Sequence, residues 1–288
     1  MRAYWLSGES LYPIWNQLSY AEAPFLEWDW WSTQALPWGA LLIEEKGSPV
    51  AALPLPVRDV GFFRLYRQPL SVPYLSFRLK QDLPDSCAER YRMVGHILSA
   101  VAGWIKQQKW SYIAGSLPSW WSYLPPLRGL SVRGWGSFVI RAGSFAPSKE
   151  LLRKVRQSQS HPLHVLTPQV GFEWWKAHRP LGISPKFVLQ LEPLMRLSEA
   201  WWVLGVGDPL QAVGIFLVGA KRVWYVAGAH VGGSQIGTRL IYEAIQWSQA
   251  QGKDFDFQGS TLPGVERFFR QFGGEWELRY YLSACRVW

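Results

Sequence analysis

Near the C-terminus the chain reads Asp254-Phe255-Asp256-Phe257-Gln258-Gly259-Ser260, carboxylates alternating with rings and then a Gly-Ser break. The alternation has the period of a strand with two unlike faces. A polar turn at the end of a strand is a common ligand position in an α/β sheet. A second group of residues suits phosphate. Lys149, Arg153, Arg156 and Ser160 recur at spacings of four, three and four, along a helix that Ser148 can cap. Several cations on one rigid surface can grip an anion; a solvated helix face is the plain alternative. The five histidines and two cysteines show no metal spacing, so no metal is expected.

Both groups need elements to hold them. Ile236, Leu240, Ile241, Ala244, Ile245 and Ser248 form one helical stripe, ended at Gly252. After the Gly-Ser turn, Val265, Phe268, Phe269 and Phe272 predict a short amphipathic helix closed by Gly273-Gly274. Trp201–Gly207 and Leu210–Val218 predict a hairpin, with Val223–Ala229 as the next strand. In the first half, Trp38–Glu45 and Val50–Val57 read as strands, the second placed at an edge by Pro54 and Pro56. Arg58 to Lys80 reads as an irregular stretch of arginines and rings. It suits single-stranded nucleic acid, a substrate cleft, or a plain surface loop.

Glu89–Lys106 predicts a helix and Trp110–Ala114 a strand, ended by Gly115-Ser116-Leu117-Pro118. Helix, strand, Gly-Ser and Leu-Pro therefore occur in both halves. The repeat implies an internal duplication, with domains at 1–145 and 146–288. Leu130–Arg141 then completes the first half.

The chain has 288 residues, 48% hydrophobic and 18% charged, with a net charge of +9. That composition supports a packed core and favours anionic partners: phosphates, nucleotide-linked substrates, nucleic acid or an anionic membrane surface. No apolar run is long enough to span a bilayer, and the N-terminus carries no signal-peptide pattern. A cytoplasmic setting is the expectation.

Three meandering strands, a Gly-bearing turn into a helix and a further strand resemble the core of the GNAT superfamily of N-acyltransferases. Gly232, Gly233, Gln235 and Gly237 depart from the spacing of that family's coenzyme A loop. The second half more closely resembles the tandem-GNAT FemAB/FemX-like transferases. The resemblance rests on Phe255-Asp256-Phe257-Gln258-Gly259-Ser260, Pro263-Gly264-Val265, Phe268 to Gly273, the basic helix Leu151–Ser158, and Tyr225 followed by Gly228-Ala229. It implies an α/β fold of two GNAT-like domains, each a mixed, mostly antiparallel sheet flanked by helices. It implies transfer from acyl-CoA or aminoacyl-tRNA onto an amine of a cell-envelope or polysaccharide precursor. Partners would be an anionic or nucleotide-linked substrate and, for some members, tRNA, with peripheral membrane contact open.

Such aminolysis needs a neutral amine, an oriented carbonyl and a stabilised oxyanion. Asp256 would orient or deprotonate the amine, or simply cap the turn. Tyr225 would position substrate or protonate the leaving group, or simply pack. Ser260 and amides after Gly259 would bind an oxyanion or phosphate. Arg153, Arg156 and Arg270 would bind phosphate. Family members carry Phe-Lys in the last helix; this chain has Phe268-Phe269, and Arg270 faces elsewhere. A scaffold that has lost donor binding and holds an anionic ligand or a protein is the rival expectation.

Overall fold

The computed structural model describes residues 1–34, 36–82, 84, 86–108, 111–118, 131–231, 233–259 and 263–286. These form two compact units, Met1–Trp135 with Leu278–Trp288, and Gly136–Glu277. The first contains β1 (Arg2–Ser7), α1 (Tyr12–Trp15), α2 (Trp28–Ser32), β2 (Trp38–Glu45), β3 (Ser48–Val60), β4 (Phe63–Arg67), β5 (Arg78–Leu79), α3 (Cys87–Gln107) and β6 (Ser111–Leu117). The strand β7 (Ser131–Ile140) leads into the second unit. There follow α4 (Lys149–Arg156), β8 (Leu163–Leu166), α5 (Pro168–His178), α6 (Pro185–Leu194), β9 (Trp201–Val206), β10 (Ala212–Val218), β11 (Arg222–His230), α7 (Ser234–Ala250), β12 (Asp254–Asp256) and α8 (Pro263–Arg270). The strand β13 (Glu275–Arg286) returns to the first unit.

The two units share one strand order. In the first, β1 to β4 form an antiparallel meander, β6 joins β4 in parallel, and β13 closes antiparallel against β6. In the second, β8 to β11 form the meander, β12 joins β11 in parallel, and β7 closes antiparallel against β12. A parallel neighbour requires a crossover, which the sequence supplies as α3 and α7. The stripe expected on α7 is buried in full: Ile236, Leu240, Ile241, Ala244, Ile245 and Ser248. It packs on Val223, Phe255 and Phe257 in the second core. The first core joins Leu41, Ile43, Leu53 and Leu55 to Val94, Leu98 and Val101 of α3.

Each unit's last strand comes from the other half of the sequence. The run expected to complete the first half, β7, pairs Val139 and Ile140 with Asp256 and Phe255 in the second unit. Periodicity marks a strand but not its partner, so this exchange has no local signal.

Other expectations need correction. Gly115 and Ser116 do not end a strand: both lie inside β6, opposite Leu282 and Tyr281 of β13. Gly259 does sit in a turn, at φ 71°, next to Gln258 at φ 60°. The two glycines thus have different backbone roles. β3 is not an edge strand, because β2 flanks it on one side and β5 and β4 on the other. Its partners on that second side reach only Ala51–Ala52 and Val57–Val60, so Pro54 and Pro56 fall in the gap, where no N–H is needed. The basic, aromatic stretch from Arg58 is partly regular: Arg58 to Arg67 forms the β3–β4 hairpin. Near the N-terminus a 3-10 turn, Gly8–Leu11, leads into α1, a single helical turn.

Candidate functional site

The strands β11 and β12 pair for three residues only: Arg222 with Asp254, Val223 with Phe255, Trp224 with Asp256. Beyond Trp224 they part. β11 runs on to His230 against β10, with a bulge that leaves Val226 extra between Tyr225 and Ala227. Past Trp224, no backbone hydrogen bond joins β11 to anything but β10 and its continuation among the described residues. After β12, the Phe257 N–H donates to Phe138 O at 3.1 Å, and the chain turns away through Gln258 and Gly259. The parting strands leave a fork beside α7.

Tyr225 stands at this fork. Strand alternation puts it with Val223 on the α7 side of the sheet, half-buried against the second core. Its ring lies 5.5 Å from Phe216 and 6.0 Å, edge-on, from Phe269 of α8. Its hydroxyl lies over Gly228, in contact with the place a Cβ would occupy there. A side chain at 228 would displace that hydroxyl. Burial alone pushes the Tyr225 hydroxyl above the ordinary tyrosine range; like any tyrosine it carries its proton at neutral pH. Among the described residues it has no hydrogen-bond partner, which leaves a neutral donor for a ligand.

Asp256 lies on the opposite face, fully buried. Its Oδ1 accepts from Ser137 Oγ at 2.7 Å and from the Gln258 N–H at 2.7 Å. Its Oδ2 accepts from Arg222 Nη1 at 3.1 Å. Arg222 also donates to Glu277 at 2.8 and 3.1 Å and to Asp254 at 3.3 Å. Arg141 completes the network, bonding Asp254 at 2.9 Å and pairing with Glu277 at 2.8 Å. The structure therefore does not bring Asp256 and Tyr225 together. Asp256 is spent holding β12, β7, β11 and the Gln258-Gly259 turn in register, the cap reading rather than the amine-binding one. A buried carboxylate of this kind persists only because it is paired and hydrogen-bonded.

The remaining candidates divide. Gly259 follows directly on the Asp256-anchored turn; Ser260 lies outside the described residues. Phe268 packs on Phe269 at 6.1 Å and Phe272 at 5.3 Å, in a ring cluster that Phe257 joins at 4.6 Å from Phe269. Arg270 is exposed, bonds Glu266 one turn back at 2.6 and 3.1 Å, and sits 5.4 Å over the Phe138 ring. Arg153 is paired with Glu150 at 2.9 Å on the surface of α4. Arg156 ends α4, exposed, and Ser160 lies past the helix. The basic stripe is thus shorter than expected, and one of its cations is neutralised. No hydrogen bond, ion pair or ring contact among the described residues joins Arg153, Arg156 or Arg270 to Tyr225.

Sequence reasoning missed Arg222, Arg141, Ser137 and Glu277, whose partners lie far away in the chain. The Asp254/Asp256 alternation was the usable signal: two carboxylates on one strand face require cations on the neighbouring strands. At the other end of β11, the first turn of α7 begins at Gly233 with no side-chain cap. The Ile236 N–H already donates to Gly233 O at 3.0 Å; the Ser234 and Gln235 N–H groups suit an anion. Among the described residues no group of three His, Cys, Asp or Glu could hold a metal ion. No helix of the described residues is long and apolar enough to cross a membrane.

No protein-family model and no curated protein matches the sequence. Solved structures do match. FemX aligns with a TM-score of 0.61 at 10% identity, covering 98% of this chain and 97% of its own. A conserved protein of unknown function from Bacteroides thetaiotaomicron aligns with 0.52 at 10% identity, covering 90% and 88%. L-PGS from Bacillus licheniformis aligns with 0.49 at 11% identity, covering 86% and 84%. Over nearly its whole length, the chain has the fold of FemX.

Proposed function

We propose that the second unit transfers an acyl or aminoacyl group onto an amine of a cell-envelope or polysaccharide precursor. The observation that carries this reading is Tyr225: a protonated hydroxyl with no protein partner among the described residues, held by Gly228 and the β11 bulge at the mouth of the fork. In the reaction the amine nitrogen attacks the carbonyl carbon of a thioester or ester. The C–N bond forms, the C–S or C–O bond breaks, and the proton shed by the nitrogen ends on the leaving group. Tyr225 donates to the developing oxyanion or to that leaving group, a contribution on the order of a hundredfold. Asp256 acts as a positioning residue, fixing the Gln258-Gly259 turn beside the fork. The first-turn amides of α7 take a phosphate of the donor, which is acyl-CoA or aminoacyl-tRNA. The domain reading, two duplicated halves with the donor site in the second, goes with this proposal.

A second reading rests on a specific observation. Arg153 and Arg270 are each paired with a glutamate of their own helix, so the cations expected for a charged substrate are partly spent. That favours a scaffold which binds without catalysis. Thermal unfolding with acetyl-CoA, longer acyl-CoAs, charged and bare tRNA, and UDP-linked muropeptide separates the two, since a ligand of the folded state raises Tm by mass action. A shift with acyl-CoA or charged tRNA, together with turnover that falls on the order of a hundredfold in Tyr225→Phe at unchanged Tm, supports the transferase. No shift with any of these ligands, or undiminished turnover in Tyr225→Phe, overturns it.

A further inference from the structure

The first unit carries a cleft of about 790 Å³ along β1, away from every residue assigned above. One wall is β1, from Arg2 to Trp5; the other is the α3 face bearing Ser99, Ala100 and Gly103. Trp5 and Trp104, stacked 6.4 Å apart, line it between those walls. Two features mark it as more than a surface dip. β1 is an edge strand: among the described residues it pairs with β2 alone, from Arg2 to Ser7 without a register break. Every second residue of such a strand turns its N–H and C=O outward. Edges are normally blunted by proline, bulges or inward charges, and the run Arg-Ala-Tyr-Trp-Leu-Ser has no proline and no bulge. The facing helix packs on β1 through Trp5 and Trp104 but leaves room at one point. A Cβ built on Gly103 meets nothing within 4 Å, so the cleft is open there.

We propose that this cleft takes an extended peptide, which adds to the outer edge of β1 as a new strand and rests against α3. The charge of the lining selects that occupant. In a chain of net charge +9, the cleft offers one arginine, Arg2, against one glutamate, Glu45. A phosphate or nucleic acid would need more cations. The other polar groups are the Met1 amino group, the His96 ring, the Tyr4 hydroxyl, Ser99, Gln107 and Gln108, beside the two indole rings. Such a lining matches the backbone and apolar side chains of an uncharged strand. In strand addition the main chain supplies the affinity, and pockets for alternate side chains supply the choice. The partner is therefore a protein segment of low net charge, bound independently of the chemistry in the second unit.

The test uses the full-length protein and a displayed library of random peptides. Enriched peptides are synthesised and measured against the wild type, Gly103→Phe and Gly103→Ala. A Cβ at 103 meets nothing within 4 Å, so phenylalanine is the variant chosen to fill the cleft and alanine the one that leaves it open. Binding roughly tenfold weaker or worse in Gly103→Phe and retained in Gly103→Ala, at equal Tm, is the expected result. Amide exchange in the wild type needs no variant and should show protection gained within Arg2–Leu6 on peptide binding. A library that enriches nothing, peptides that bind Gly103→Phe as tightly as the wild type, or bound peptides that protect no β1 amide would overturn the proposal.

Discussion

In the second unit, the strands that follow the meander pair for three residues and then separate beside Tyr225. The same two strands in the first unit, β4 and β6, pair over Arg64–Arg67 and Ser111–Ala114, and the space beyond is filled. There the Gln68 N–H donates to Ala114 O at 2.9 Å and the Leu75 N–H to Ser116 O at 2.6 Å. The Gln68 side chain bridges the Ser116 N–H and Val72 O, each at 2.6 Å. Leu75 presses on Gly115 as Tyr225 presses on Gly228, but with an apolar side chain in place of a hydroxyl. One topology therefore gives a fork bridged by backbone and side-chain hydrogen bonds and one with no such bridge among the described residues. The difference lies in the connection that leaves the fourth strand. β11 ends at His230 and α7 begins at Ser234, whereas β4 ends at Arg67 and α3 begins at Cys87, with Gln68 and Leu75 between them bonded to β6.

The largest effect should come from what holds the open fork in shape. Asp256→Ala leaves Arg222 buried, its side chain 16% exposed, and short of one partner. Breaking such a network should cost about 3–5 kcal/mol, read from denaturant unfolding, and activity should fall with it. A loss below about 1 kcal/mol would make the network peripheral. Next comes a matched pair of glycine substitutions. Gly228→Ala puts a methyl group against the Tyr225 hydroxyl, so turnover should drop about a hundredfold for a displaced group while Tm barely moves. Gly115→Ala puts the same methyl group against Leu75. It should cost about 1–3 kcal/mol by overpacking and leave turnover unchanged in the folded protein. Equal effects of the two on turnover would erase the distinction between the forks.

The smallest effect concerns a tyrosine outside both forks. Burial first, and then the hydrogen bond to Glu44, push the Tyr4 hydroxyl up from 10.0 to about 12. Its folded form holds the proton more tightly than the unfolded chain, so its contribution is complete below pH 10.0. It is lost as pH rises towards about 12. Tyr4→Phe should flatten that part of the alkaline stability curve without touching turnover at neutral pH; an unchanged curve would remove Tyr4 from it.

Local pattern carried much of the fold. The α7 stripe, the Ser148 cap, which accepts from the Leu151 N–H at 3.1 Å, and the β9–β10 hairpin were all legible, because each depends on residues close in sequence. The alternation at Asp254 and Asp256 showed that β12 has a polar face. It could not show which chemistry that face serves, because Arg222, Arg141 and Glu277 arrive from separate strands. The exchange of β7 and β13 was hidden for the same reason. The two Gly-Ser pairs read alike, yet Gly115 is a strand residue under Leu75 and Gly259 a left-handed turn. Only the strand beside each glycine decides between those outcomes.

The central claim is that the second unit's fork binds the donor and the first unit's fork does not. Amide hydrogen exchange on the full chain, with and without acyl-CoA or charged tRNA, tests it most directly. Protection gained over 225–231 and the start of α7, with none gained over 64–68 and 111–117, is the predicted result. Protection at the first fork, or at neither, would contradict it.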